Sequence, residues 1–213
     1  MSNWYELVDS SDYSLLQGDI LFNVSVYFLD PDVTFTEDTK LEELELYIEE
    51  RDVIVMTQSC DIQKALNPVD RKGNPLPPEL NTQILLCPIG DLSQFKLDKA
   101  KSIRDNKVNT VYLINKFDDG SIYDYLVVDL SSYYTLPLGH IINFLKTSGS
   151  KRPRLYNPYR EELSQKFALT FMRVGTDDST KIKDDELDEG IKRAVAKARE
   201  ELAQRQEEEP QGA

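Results

Sequence analysis

The chain has 213 residues, enough for one sizeable domain or for a domain with an appendage. Its 40% apolar and 30% charged residues fit a folded globular protein, and its formal net charge of −13 disfavours a dedicated binder of phosphate backbones. It lacks an apolar run near the roughly 18 residues of a membrane span, a signal-peptide-like start and the cysteines for a disulfide framework, so a cytoplasmic protein away from membranes is expected.

Residues 19–29, DILFNVSVYFL, are rich in β-branched and aromatic side chains and read as a first strand or a bent pair. An acidic, turn-like stretch follows from Asp30 to Lys40. LEELELYIEER is ambiguous, because Leu44, Leu46 and Ile48 alternate like a strand while Leu41, Leu44 and Ile48 fit one helix face. DVIVMTQ (52–58) reads as a buried strand, and CDIQKAL as a helical turn before Pro68. Four prolines and Gly73 make 67–80 a loop. TQILLCPI (82–89) is a second buried strand, 91–104 a short helix or turn, and TVYLIN (110–115) another strand. Asp119-Gly120 supplies a hairpin turn into SIYDYLVVDL (121–130).

The texture changes from Pro137. LGHIINFLK reads as a helix and GSKRPRLYN as a connector. Asn157-Pro158 then has the chemistry of a helix start, and Tyr159, Leu163, Phe167, Phe171 and Val174 recur at helical spacing. Beyond Gly175 the chain turns polar and acidic. A narrow stripe of Leu187, Ile191, Val195, Ala198 and Leu202 marks a helical or disordered arm that docks or frays.

Three landmarks carry a resemblance: Gln17-Gly18-Asp19-Ile20 at the head of the first strand, Arg51-Asp52-Val53-Ile54-Val55-Met56, and Ile84-Leu85-Leu86-Cys87-Pro88-Ile89. Their order and spacing resemble the MazF/PemK toxin family over residues 15–130. The resemblance implies a small SH3-like β-barrel, placed over 1–136; with the helical spacing read beyond it, the expectation is an α+β protein with packed helices over 137–175. An acidic linker with a helical or disordered tail would occupy 176–213. It also implies the possibility of a homodimer. In that family an Arg at the second landmark and a Thr or Ser at the end of the third are tied to RNA cleavage. Arg51 matches the first, whereas Gly90 stands in the second place without a hydroxyl and Asp52 replaces a Pro. Phosphodiester cleavage needs cationic or hydrogen-bonding groups around the phosphate as charge builds, so this departure argues against an efficient nuclease. Some MazF-like proteins linked to CRISPR signalling are non-nuclease subunits that hold a sigma-factor-like partner.

Other candidate chemistry is sparse. Cys60, after a buried strand, could act as a nucleophile with His140 as base and Asp61 as its orienting carboxylate. Against that, Cys60 also reads as a small core residue and His140 as a polar spot on an amphipathic helix. Neither CxxC nor HxxxH spacing is present, so no metal site is expected. Asp61, Asp70 and Asp91 could hold a divalent cation, but with 38 acidic residues a solvated face is the blander reading. No Gly-rich phosphate loop or other cofactor motif is visible. Lys146, Lys151, Arg152, Arg154, Arg160, Lys166 and Arg173 form a basic cluster in an acidic chain. It could receive nucleic acid, an acidic partner or the chain's own tail. Three functions therefore stand open: a non-catalytic regulatory subunit holding a basic protein, an endoribonuclease using Arg51, and a Cys60-dependent hydrolase.

Overall fold

In the computed structural model, residues 4–29, 32–33, 46–116 and 125–172 are described. Most of the acidic stretch 30–40, the Asp119-Gly120 turn, Arg173 and the expected arm over 176–213 lie outside them. The described residues belong to one unit that ends at Arg173.

The architecture is α+β, with mainly antiparallel sheet and four α-helices among the described residues. In chain order these are β1 (Tyr5–Val8), β2 (Ile20–Leu29), β3 (Leu46–Val55), α1 (Ser59–Leu66), β4 (Gln83–Asp91) and α2 (Leu97–Arg104). Then follow β5 (Val111–Ile114), β6 (Leu126–Asp129), β7 (Tyr134–Pro137), α3 (Leu138–Ser148), β8 (Arg152–Leu155) and α4 (Tyr159–Phe171). The described part of the ambiguous segment, from Leu46 on, is strand, while Leu41 and Leu44 lie outside the described residues.

The main sheet runs β2-β3-β4-β6-β5, with β7 also on β4. Leu86 is paired with Val55 on one edge and Tyr134 on the other, so β4 is central. Further along β4, Ile89 meets Val128 of β6. The strand path stays open among the described residues, with β2 and β5 at its ends, where a closed barrel was expected.

Period-two alternation divides the core between the two faces of the sheet. On one face Val53, Val55, Ile84 and Leu86 pack with Ile62 of α1 and with Leu138, Ile141 and Leu145 of α3. On the other, Ile54 and Cys87 pack with Leu155 of β8 and Leu163 of α4. A fully buried aliphatic side chain contributes about 1.5–3 kcal/mol, so both layers are needed to hold the sheet. The α4 stripe is shorter than its sequence spacing predicts. Tyr159 and Phe167 pack on the core and Tyr159 stacks on Trp4 with centroids 3.7 Å apart, but Phe171 is exposed. Pro158 caps this helix with no side-chain hydrogen bond, so the expected Asn157 cap is not formed.

Residues 149–157, read as a connector, contain β8, which pairs antiparallel with β1. The segment 137–175 is therefore not helical throughout. Asp19 bridges to Arg154, joining this ribbon to the start of β2. The Asp19 carboxylate is fully buried and receives Arg152 Nε at 2.9 Å, Arg154 Nη2 at 3.0 Å and Arg154 Nε. Further guanidinium N–H groups donate to the carbonyls of Asp12 and Ser14. Burial alone pushes the Arg154 guanidinium down, but the hydrogen bond and charge of Asp19 outweigh it and hold it above its ordinary value.

Removing one partner of a buried ion pair strands the other charge in a low-dielectric interior. Asp19→Ala should therefore cost about 3–5 kcal/mol, read as a lower urea midpoint with an unchanged slope. A loss below about 1 kcal/mol would mean that the arginines rehydrate freely.

Candidate functional site

The Gln17-Gly18-Asp19 turn also fixes the position of the candidate thiol. Gly18 has φ +85°, and a Cβ there would lie 3.3 Å from both Arg160 and Leu155 side-chain carbons. Glycine is required for both the backbone angle and the close approach. The backbone N–H of Gln17 donates to Ser59 Oγ at 3.1 Å, and its side-chain Nε2 donates to the Met56 carbonyl at 2.8 Å. The Gln17-Gly18-Asp19 landmark and the segment Gln58-Ser59-Cys60-Asp61 thus form one packed junction at the start of α1.

Cys60 is exposed there. Its thiol lies 3.5 Å from Gln58 Oε1 and 3.7 Å from Asp61 Oδ1, while Asp61 pairs with Lys64 at 3.2 Å. The nearby groove of about 340 Å³ is lined by Asp61, Lys64, Asn67, Glu79 and Thr82, and not by Cys60. His140 sits on α3 and faces elsewhere. Its Nδ1 is 3.5 Å from the Tyr27 hydroxyl, and the two rings meet edge to face at 5.2 Å. No hydrogen bond joins Cys60 to His140, so the nucleophile-base pair that a Cys hydrolase needs is not assembled. Cys87 is the core cysteine; burial pushes its thiol up to about 12.

Arg51 projects from β3 and forms an ion pair with Glu49, both side chains being 48% exposed. Asp52 accepts the Asn23 backbone N–H at 2.9 Å. The β3–β4 ladder ends at Val53–Pro88, two residues short of Arg51 and Gly90. The resembled pair of positions therefore lies at one end of a single ladder, with the guanidinium committed to a carboxylate and no hydroxyl at Gly90.

The acidic cation candidates have local roles. Asp70 accepts from the backbone N–H groups of Lys72 and Asn74, and Asp91 from that of Ser93. Hydrogen bonds from Asn74 hold the Asp70 carboxyl below its ordinary value. Among the described residues, no group of three or more His, Cys, Asp or Glu is placed to hold a metal ion.

The basic cluster does not form one surface. Arg152 and Arg154 are 3% and 7% exposed on Asp19, and Arg160 lays its aliphatic stem over Gly18. Lys166 donates to Asn106 Oδ1, Lys146 and Lys151 are exposed, and Arg173 lies outside the described residues.

One surface was not singled out in the sequence. The distal halves of β2 and β3 form a ribbon in which Tyr27 pairs with Ile48 and Leu29 with Leu46. Cross-strand partners share a face, so these four exposed side chains make one apolar stripe. Ser25 and Glu50 continue the same face at its inner end. The signal was present in the alternation of Leu46 and Ile48, but a strand pattern alone does not say which face is left bare. Among the described residues, no helix is long and apolar enough to cross a membrane. Comparison with family models, curated proteins and solved structures returned no match.

An alkylating reagent should label one thiol of the folded chain, Cys60, and reach Cys87 only after unfolding, as read by peptide mass spectrometry. Because Cys60 makes only weak exposed contacts, Cys60→Ser should shift stability by less than about 0.5 kcal/mol.

Proposed function

We propose that the chain is a MazF/PemK-like, non-catalytic binding subunit of a bacterial stress or phage-defence system that holds a basic partner such as a sigma-like or DNA-binding factor. The apolar stripe of Tyr27, Leu29, Leu46 and Ile48 carries this reading. A contiguous apolar patch rimmed by polar groups is the usual mark of an association surface. Glu50 on the same face and a net charge of −13 favour a partner with positive charge beside its apolar anchors.

The catalytic alternatives have less support. A nuclease needs groups converging on a phosphate, and Arg51 is engaged by Glu49 while Gly90 offers no side chain. A thiol hydrolase needs a base within hydrogen-bond reach, and His140 partners Tyr27 instead.

The test is affinity purification of the full chain from its host, followed by binding measurements on whichever basic protein co-purifies. Tyr27→Asp combined with Ile48→Asp should weaken that complex by at least 2 kcal/mol, about 30-fold, as expected when central anchors are lost. Affinity should also fall as salt rises. Unchanged affinity in the double variant would remove the ribbon as the interface. RNA cleavage that disappears in Arg51→Ala would replace the proposal with the nuclease reading.

A further inference from the structure

A second surface is a cleft of about 480 Å³ between α4 and the segment joining α2 to β5. That size falls in the range of about 300–1,000 Å³ typical of small-molecule sites. Three amides, Asn106, Asn109 and Gln165, line it together with Tyr112, Glu162, Lys166 and the aliphatic Leu169.

The two charged groups are the informative pair. Glu162 and Lys166 stand four residues apart on α4 with the acid nearer the N-terminus, the arrangement in which helical ion pairs form most readily. They do not pair. Tyr112 Oη donates to Glu162 Oε2 at 3.1 Å, and Lys166 Nζ donates to Asn106 Oδ1. Each charge is held by a residue outside α4, and the two remain separate within one cleft. Burial lowers the pKa of Lys166, so its ammonium is partly stripped of water and stands to gain from an incoming anion.

A carboxylate and an ammonium kept apart in one cleft, whose lining is apolar as well as polar, complement a ligand that carries both opposite charges. A simple anion would meet Glu162 and a simple cation would meet Lys166, whereas a zwitterion satisfies both. The uncharged amides of Asn109 and Gln165 can donate to or accept from its side chain. We propose that this cleft binds a free α-amino acid, with the ligand's ammonium on Glu162 and its carboxylate on Lys166. The inference is independent of the binding-subunit reading, since none of its residues belongs to the β2–β3 ribbon.

The test is calorimetric titration of the full chain with a panel of free L-amino acids. At least one should bind saturably with a Kd below about 1 mM. Glu162→Gln keeps an acceptor for Tyr112, and Lys166→Met keeps the stem length. Each should weaken binding at least about tenfold while circular dichroism shows the fold retained. Lys146→Met, on α3, should leave the affinity unchanged. The decarboxylated amine of the bound amino acid should bind at least about tenfold more weakly than the parent. Absence of saturable binding across the panel would overturn the proposal. So would affinity kept within about twofold in both cleft variants, or an amine that binds as well as its amino acid.

Discussion

The fold depends on one buried carboxylate. Asp19 opens β2, and its backbone carbonyl accepts the Val55 N–H at 2.9 Å, tying it to the end of β3. Its side chain gathers Arg152 and Arg154 from β8, and through them the carbonyls of Asp12 and Ser14 in the segment between β1 and β2. Asp19 therefore ties the end of β3 through its backbone carbonyl and β8 through its carboxylate, and the two arginines extend the cluster to residues 12–14. The pair of arginines exceeds the single carboxylate in charge, and the backbone carbonyls complete the solvation that water would have supplied. Such a cluster is weak as a source of net stability against an apolar replacement, but costly to leave half-made. Its effect is to specify one arrangement: β8 cannot slide along β1 without separating both guanidinium groups from Asp19.

This constraint explains where the sequence was legible and where it was not. DVIVMTQ and TQILLCPI are apolar because β3 and β4 are covered on both faces near their shared ladder, and a continuous apolar run announces that locally. LGHIINFLK likewise shows its buried stripe in its own spacing. Arg152 and Arg154 carry no such sign. Their partner lies more than a hundred residues earlier, and charge in a sequence reads as exposure unless the neutralising group is nearby. The same blindness hid β8, whose four residues include two arginines and a proline and yet are all buried. Phe171 erred in the opposite direction, since helical spacing continued after the core it would have faced had ended.

The candidate catalytic residues were found by type, and the fold distributes them. Cys60 stands over the junction at the start of α1, His140 beside the outer part of β2, and Arg51 along β3 in an ion pair. Chemistry on a substrate needs groups within hydrogen-bond reach of a common point, and residue type alone is silent on convergence. The motif Gln58-Ser59-Cys60-Asp61 illustrates the difference. Its Ser59 is engaged with Gln17, so part of the motif's pattern comes from joining two turns, and the thiol beside it need have no task in catalysis.

The acidity of the chain also changes meaning once its carboxylates are placed. Asp9, Asp12, Asp70, Asp91 and Asp129 each accept the backbone N–H of the residue two positions on: Ser11, Ser14, Lys72, Ser93 and Ser131. Each closes a local Asx turn, a use for which aspartate is chosen because its short side chain mimics a turn's own carbonyl. These charges are spread over loops and strand ends as fasteners of the backbone and, among the described residues, do not converge as an ion site would. A net charge counts them all alike, although each of these carboxylates already serves a local turn. Glu50 differs from them because it is placed by strand register on the same face as the apolar stripe. The pairing of β2 with β3 therefore sets one exposed carboxylate beside the apolar stripe, a placement that net charge alone does not contain.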